Sequence, residues 1–340
     1  MILFPSQNDR IHRTSVVGVC CLFLVGLAFA GSFLLKLDEP FMKPEMKHRL
    51  LAASSSSPPS KQQQNKTLVI IIGTIRGGEK AWQTLYDNVL DPNDADLALL
   101  IGNVQEQYSS SSLLSLAKHT WQLEEYDDWG DAVDLIDGPK WRTDILPLLQ
   151  PGSALGPLPG QAGSGAIIFM IRWFLSKKIQ ELGLTNTYDR FVITRADHYY
   201  LCKHDLKSLS LDNLWVPFGQ DYTGLTDRHL VVSNRDVLTA LDILPHIFQN
   251  FDAYSDKLGR GPRPFGTMHT NPEILIQRRF ELAGLTPRIK HFDRMMFTCA
   301  MPGDATRWQR AGTEFVPEGV LLKYEREYQL SHQYCDAQPR

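Results

Sequence analysis

This chain contains little cysteine. It has no large excess of positive or negative charge, and it has no internal repeat. Five of the 340 residues are cysteine, and no Cys-x-x-Cys pair or Cys/His cluster has the spacing of a zinc site. The formal net charge of -3 gives no basic surface, so no nucleic-acid partner is expected. Without a repeated unit, a solenoid or propeller is not indicated either. These absences favour an ordinary globular domain.

An uncharged apolar run occupies residues 15–35. A helix of this length spans a hydrocarbon core of roughly 30 Å, and Arg10 and Arg13 before it favour a cytosolic N-terminus. A cleaved signal peptide is the alternative, but its apolar region is usually about 7–15 residues, shorter than this run. We expect a cytosolic tail at 1–14, a type II signal anchor at 15–35, which would hold the protein in a membrane, and a lumenal remainder.

Residues 36–66 are predicted to form a disordered stem. They contain SSSSPPS and KQQQNK and few apolar residues, a composition typical of extended or disordered chain. Asn65-Lys66-Thr67 is a glycosylation sequon, which fits a lumenal stem. The remaining residues, 67–340, are numerous enough for one large α/β domain.

Three cysteines, Cys202, Cys299 and Cys335, fall within that domain. A lumenal location permits one disulfide with one thiol left over. The sequence does not choose the pair, and three reduced structural cysteines are an equal alternative.

Apolar runs that end in glycine predict the fold class. Residues 68–73 (LVIIIG) and 97–102 (LALLIG) have the continuous apolar pattern of strands buried on both faces. Between them, 79–89 is predicted to form a helix with Trp82 and Leu85 on one face. Strand, helix and strand at this spacing form a βαβ unit, and such units build a mostly parallel sheet. The expected class is therefore α/β.

The alternation is predicted to resume after an irregular stretch. Residues 129–165 are rich in Pro and Gly, which predicts a long loop, either a lid or a disordered insertion. Apolar residues at helical spacing predict a helix over 166–182, which Ser164 would cap. Further strands are predicted at 190–194, 214–218 and 229–233, and further helices at 234–244 and 272–283.

The triplet Arg195-Ala196-Asp197 stands at the end of a predicted strand. Ligands bind at the carboxyl ends of strands in open α/β sheets. A carboxylate at this position is able to hold a divalent metal, and the arginine to add charge to phosphate or to orient the aspartate. Taken alone, the triplet is better explained as a solvated ion pair at a strand end.

The surrounding stretch 188–200, YDRFVITRADHYY, resembles the acidic-motif region of GT-A nucleotide-sugar glycosyltransferases. Many of these carry an R-x-D variant of the D-x-D motif after a strand. The resemblance continues into WVP at 215–217, DYTGLTDRH at 221–229 and NPE at 271–273, and loosely covers most of 67–297. The anchor and stem are similar to the usual architecture of Golgi members. A strict D-x-D is absent, which bears on metal dependence.

The resemblance implies a Rossmann-like GT-A fold with a mixed, mostly parallel sheet flanked by helices. It implies a nucleotide-sugar donor, a glycan or glycoprotein acceptor, and a location in the Golgi or ER membrane. It further implies Mn²⁺ or Mg²⁺ held by Asp197 against the donor diphosphate, with Arg195 beside it.

Other candidate residues have structural alternatives. Thr74, Arg76 and Gly77 follow a buried strand, where their amides would face a nucleotide, although a tight turn that needs glycine is an equal alternative. Ser164 and Gly165, at a helix N-terminus, would meet phosphate, although simple capping explains them as well.

Two further carboxylates are candidates, Asp227 for the acceptor and Glu273 for the donor sugar. Asp227 is predicted to act as a general base on an acceptor hydroxyl or to hold that hydroxyl in place. Its alternative is a turn aspartate paired with Arg228. Glu273 would bond the donor sugar, or simply sit favourably in a first helical turn.

Three functions remain open at this point. The first is a glycosyltransferase, and the second is a lumenal sulfotransferase that would use the loop 73–78 for a phosphosulfate. The third is a catalytically silent glycan-binding relative of the same fold. The sequence favours the first, because the loop 73–78 lacks a lysine- or serine-rich phosphate signature.

Overall fold

The computed structural model describes residues 65–149, 154–161, 163–258, 271–304, 306 and 315–338. The predicted tail, the anchor and nearly all of the stem lie outside these residues. Within the described ranges, no helix is long and apolar enough to cross a membrane. All of the described residues belong to one compact unit, 61–340.

The strands follow one another along the chain, and most are short. They are β1 (Thr67–Gly73), β2 (Asp96–Ile101), β3 (His119–Gln122), β4 (Arg190–Thr194), β5 (His198–Tyr200), β6 (Leu214–Pro217), β7 (Leu230–Ser233), β8 (Ile289–Phe292), β9 (Met296–Ala300) and β10 (Leu321–Leu322).

Seven strands form a mixed sheet in the order β3-β2-β1-β4-β7-β6-β8. Its first four strands are mutually parallel, and β6 and β8 are also parallel. Strand β7 is antiparallel to both of its neighbours, β4 and β6. The predicted α/β class with a mostly parallel sheet flanked by helices is confirmed.

Helices separate the strands, and several span a single turn. They are α1 (Gly78–Leu85), α2 (Asp91–Asn93), α3 (Ser112–Leu116), α4 (Trp129–Asp137), α5 (Trp141–Asp144), α6 (Gly165–Glu181), α7 (Val237–Leu241), α8 (Leu244–Gln249), α9 (Ser255–Leu258), α10 (Pro272–Leu282) and α11 (Glu325–Cys335).

Strand β1 is buried on both faces, and its side chains alternate between two cores. Leu68 packs in the core that contains Phe169 of α6. The next residue, Val69, packs in the core that contains Trp82 of α1. This alternation is the period of two that a strand imposes on its side chains. Burying each such aliphatic side chain stabilises the fold by roughly 1.5–3 kcal/mol, which is why the sheet centre reads as an unbroken apolar run.

The prediction of a long loop over 129–165 was wrong for its first part. Helix α4 begins at Trp129, where the Asp128 side chain accepts from the Gly130 amide and caps the helix. Trp129 and Val133 are buried against the sheet core. Pro and Gly concentrate after residue 149, so the composition of the later part hid the helical start.

The predicted helix over 234–244 is split in two. Helix α7 ends at Leu241, and α8 begins at Leu244 with Pro245 in its first turn. Proline cannot donate to the preceding turn of a continuous helix, so the break falls before it.

A second, three-stranded sheet in the order β10-β9-β5 covers one side of the molecule. Strand β5 follows directly on Asp197, and α11 packs on β9. A disulfide joins Cys202, just after β5, to Cys335 at the end of α11, while Cys299 is a buried free thiol. The pair that the sequence left open is therefore Cys202–Cys335.

Replacing both Cys202 and Cys335 by serine is expected to lower the free energy of unfolding by about 2–5 kcal/mol, because the bond closes a long loop and restricts the unfolded chain. Urea titration of the parent and the double variant measures the loss. Cys299→Ser serves as a control for serine itself, and its cost should come from lost packing. Non-reducing peptide maps should show the 202–335 cross-link, and a map that links Cys299 would contradict this pairing.

Candidate functional site

The candidate residues gather at one edge of the large sheet. Arg195 and Asp197 follow β4, and Arg76 follows β1, which runs parallel to β4. Strand β7 runs antiparallel to β4, with Leu230 opposite Ile193. The residues just before β7 therefore lie beside those just after β4. This register brings the loop of Asp227 to the same edge as Asp197.

Asp197 and Arg195 form a two-point ion pair. Nε of Arg195 donates to Oδ1 of Asp197 at 2.7 Å, and Nη2 donates to Oδ2 at 2.6 Å. Nε of Arg76 lies 3.8 Å from the same Oδ2. Burial alone would raise the pKa of Asp197, but the Arg195 guanidinium outweighs it and holds that pKa well below its usual range. The aspartate is therefore ionised and bound at both oxygens.

This arrangement fits Mn²⁺ or Mg²⁺ poorly. Such cations take several oxygen ligands, and both oxygens of Asp197 already accept from Arg195. Among the residues that the structure describes, no three His, Cys, Asp or Glu side chains are placed to hold a metal. Asp197 as a metal ligand stays a prediction, and Arg195 and Arg76 are the groups that already balance its charge.

The loop after β1 is packed directly on the turn that carries Asp197. Gly77 has φ 93°, and a Cβ there would lie 3.0 Å from the Ala196 carbonyl, so glycine is required at this contact. The indole of Trp82 donates to the carbonyls of Arg76 and Ala196. The alternative of a glycine-dependent turn thus describes Gly77 correctly.

The amides of this loop serve the protein itself. The Gly77 amide donates to Oδ2 of Asp304 at 3.0 Å, and the Tyr108 hydroxyl donates to Oδ1. A carboxylate from the chain therefore occupies the position that was predicted for a nucleotide phosphate. Thr74 is exposed beside this loop. Arg76 is the predicted loop residue whose side chain reaches the Arg195–Asp197 pair.

Ser164 and Gly165 begin helix α6 as predicted, but their geometry is structural. The Ser164 side chain makes no capping hydrogen bond. Gly165 is buried, and a Cβ there would lie 1.7 Å from the carbonyl oxygen of Ala154. The close approach that needs glycine is made by the chain's own backbone.

Asp227 and Glu273 form an acidic half of the site. The loop of Asp227 is packed on the first turn of α10, where the Leu225 amide donates to the Glu273 carbonyl at 3.0 Å. A Cβ on Gly224 would lie 2.2 Å from the Glu273 carbonyl carbon, so only glycine permits this contact. Nη2 of Arg172 donates to the Asp227 carbonyl at 2.6 Å and fixes the loop from α6.

Glu273 has an unusual proton affinity. It is 9% exposed, and burial, with a contribution from the Asp227 charge, raises its pKa to about 7. A carboxyl with this pKa changes charge near neutrality, where proton transfer is most efficient. Glu273 therefore holds its proton more tightly than an ordinary glutamate does.

The sequence interpretation missed the contribution of the C-terminal segment. Lys323, half-buried after β10, has its pKa lowered to about 8 by burial and by the charge of Arg195. Its Nζ lies 4.6 Å from the ring centroid of Tyr324. The same ring contacts the Arg228 guanidinium at 4.8 Å. No motif or periodicity marks Lys323 in the sequence.

A buried ion cluster of Glu327, Arg228 and Arg294 lies beneath this segment. Oε1 of Glu327 accepts from Nη1 of Arg228 at 2.6 Å and from Nη1 of Arg294 at 3.1 Å. Oε2 accepts from the amide and hydroxyl of Thr298, both at 2.8 Å. Arg228, which was considered as the turn partner of Asp227, lies 3.8 Å from it but binds Glu327 more closely.

Comparisons with known proteins leave the family open. No protein-family model matches the chain, and a search of curated proteins finds no match.

Replacing Glu273 by glutamine is expected to stabilise the fold at pH 8 and to change little near pH 4. A carboxyl whose pKa is raised from 4.5 to about 7 on folding stabilises the protein fully below the unfolded value. That contribution is lost as the pH rises through about 7, so the stability difference, variant minus parent, should grow by roughly 1–3 kcal/mol.

Thermal and urea unfolding between pH 4 and pH 8 measure this difference. Glu281→Gln, on the exposed side of the same helix, is the matched control. A difference that is independent of pH would show that Glu273 does not bind a proton more tightly in the folded state.

Proposed function

We propose that the chain is a glycosyltransferase that passes a sugar from a nucleotide-sugar donor to a hydroxyl of a glycan or glycoprotein. The observation that carries the proposal is the meeting of two unlike groups at one sheet edge. Arg195 and Arg76 surround Asp197 on one side, and the Asp227–Glu273 pair stands on the other. Transfer from a nucleoside diphosphate needs both, because charge develops on the leaving phosphates while the acceptor loses a proton.

The cationic side is assigned to the donor. Arg195, Arg76 and Lys323 would face the diphosphate, with Arg195 oriented by its two bonds to Asp197. Planar guanidinium groups bind phosphate oxygens through paired donors. In this arrangement the protein's own cations neutralise the leaving group, and Mn²⁺ or Mg²⁺ is not required.

The acidic side is assigned to the acceptor. The acceptor oxygen forms a bond to the anomeric carbon as the bond to the diphosphate breaks, and its proton passes to Asp227. Glu273 holds a proton near neutrality and so limits the negative charge next to Asp227. A GT-A fold, an anchor at 15–35 and a Golgi or ER location complete the proposal on the basis of the sequence.

A sulfotransferase is the weaker reading of the same site. It would need the amides of the loop after β1 for a phosphosulfate, and the Gly77 amide already donates to Asp304. A silent glycan-binding relative has no need of the carboxyl pair.

A donor screen on the purified full-length protein tests the three functions together. We expect one UDP- or GDP-sugar to release its nucleoside diphosphate, and the release to persist in excess chelator. Activity that chelator abolishes and Mn²⁺ restores would instead assign a metal to Asp197. Reaction with a phosphosulfate alone would favour the sulfotransferase, and no reaction with any donor would favour the silent relative.

Asp227→Asn is expected to separate the two sides of the site. Nucleotide affinity should stay nearly unchanged, since Asp227 lies on the acceptor side. Sugar transfer should fall by about 10²–10⁴-fold, the usual loss with a general base. Calorimetric nucleotide binding and transfer rate are measured on one preparation, with the exposed Asp212→Asn as control.

Equal loss of nucleotide binding and transfer would place Asp227 on the donor side. A turn aspartate gives a third pattern, in which the protein is less stable but transfer per folded molecule is preserved.

A further inference from the structure

Tyr222 is an exposed aromatic residue in the loop that leads to Asp227. Its residue surface is 41% exposed. The ring meets Tyr324 edge-on, with centroids 6.4 Å apart, and the Arg228 guanidinium lies 5.7 Å from its centroid. The protein thus supports the ring through these contacts, while the residue as a whole stays exposed.

The backbone that carries this ring is strained. Gln220, Tyr222 and Thr223 have φ values of 59°, 47° and 66°, a region that residues with a side chain rarely adopt. Residues held in such conformations persist only where the surrounding structure imposes them, and they cluster at binding sites. Glycine would fit all three positions without strain, so a tyrosine at 222 calls for a reason.

The buried ion cluster imposes this shape from below. Nε and Nη2 of Arg294 donate to the carbonyls of Phe218 and Gly219 at 2.9 and 2.6 Å. Nη2 of Arg228 donates to the Gln220 carbonyl at 3.0 Å. These bonds are charge-assisted and buried, so they are strong enough to hold consecutive carbonyls in place.

The loop is also tied to the acidic side of the site. The Asn271 amide group donates to the Tyr222 carbonyl at 2.7 Å, and its oxygen caps α10 two residues before Glu273. Arg228, which lies against the Tyr222 ring, has its Nε 3.8 Å from Asp227. The exposed ring and the carboxyl pair are therefore positioned by the same side chains.

We infer that Tyr222 is the platform on which the acceptor sugar packs, and that the acceptor is a saccharide. The inference rests on the proposed function. The C–H groups on one face of a pyranose are apolar and carry partial positive charge, which suits the negative face of an aromatic ring. A sugar lying on Tyr222 presents its hydroxyls to the neighbouring Asp227. Binding of a glycan to Tyr222 thus explains why the loop keeps its strained backbone conformation.

Three variants of the full-length protein test this role. Tyr222→Phe keeps the ring, and Tyr222→Gly removes it while relieving the strained backbone. Asp94→Gly relieves a similar conformation, φ 50°, at the end of α2 and is the control for strain relief alone. Each is titrated by calorimetry with a panel of soluble di- to tetrasaccharides of hexose, pentose and N-acetylhexosamine, and donor hydrolysis by water is measured in parallel.

We expect Tyr222→Gly to weaken oligosaccharide binding by about tenfold, the effect of losing one aromatic contact. Its melting temperature should stay within about 2 °C of the parent or rise. Tyr222→Phe and Asp94→Gly should bind as the parent does. Donor hydrolysis by Asp94→Gly should equal that of the parent, because Asp94 lies at the end of α2 and outside the candidate site.

The inference is overturned if Tyr222→Gly binds the saccharides as tightly as the parent. It is also overturned if the parent binds none of them, or if Tyr222→Gly loses binding only in step with lost stability. A parent that hydrolyses no nucleotide sugar rejects the proposed function instead, and the saccharide titration still decides the role of Tyr222.

Discussion

The site depends on the buried pairing of Glu327 with Arg228 and Arg294. Taking any one of these charges out of water costs several kcal/mol unless the others are present, so the three are stable only together. Glu327 is fully buried and uses both carboxylate oxygens. The two arginines that Glu327 binds donate to the carbonyls of residues 218–220 and hold them in place. Arg228 also lies 3.8 Å from the Asp227 carboxylate. The shape of the exposed loop is therefore determined by buried charges.

Two buried carboxyls of the candidate site differ widely in pKa: that of Asp197 lies well below its usual range, and that of Glu273 is raised to about 7. Burial acts in the same direction on both and favours the protonated form. At Asp197 the Arg195 guanidinium is close enough to reverse that effect, whereas at Glu273 the neighbouring Asp227 charge adds to it. Environments that push two acids apart in this way permit one to stay charged while the other carries a proton. The Arg195–Asp197 pair is local in sequence, whereas the raised pKa of Glu273 depends on burial and on Asp227, which the fold brings close.

Local pattern was enough to predict five of the seven strands of the large sheet, and the edge at which the candidate site lies, but not β3 or β8. Strand β1 and helix α6 carry unbroken apolar or helical spacing, and the strand-end rule then placed Arg76, Arg195 and Asp197 together. The roles of Lys323 and Glu327 were beyond prediction, because they act across long sequence separations from a segment without a motif. The partner of the Gly77 amide could not be predicted for the same reason, because Asp304 lies 227 residues away.

Glu327 lies in α11, which follows all of the described strands in the chain, so its ion cluster is completed late in synthesis. A domain generally folds as a unit, so its fold is completed only after its later elements have left the ribosome. The parallel strands β1 to β4 have all emerged long before residue 327 leaves the ribosome. Until α11 is synthesised, Arg228 and Arg294 lack the Glu327 carboxylate that binds them. The Cys202 thiol likewise lacks its partner, Cys335, which lies in the same helix. The ion cluster and the disulfide can therefore be completed only after α11 has been synthesised.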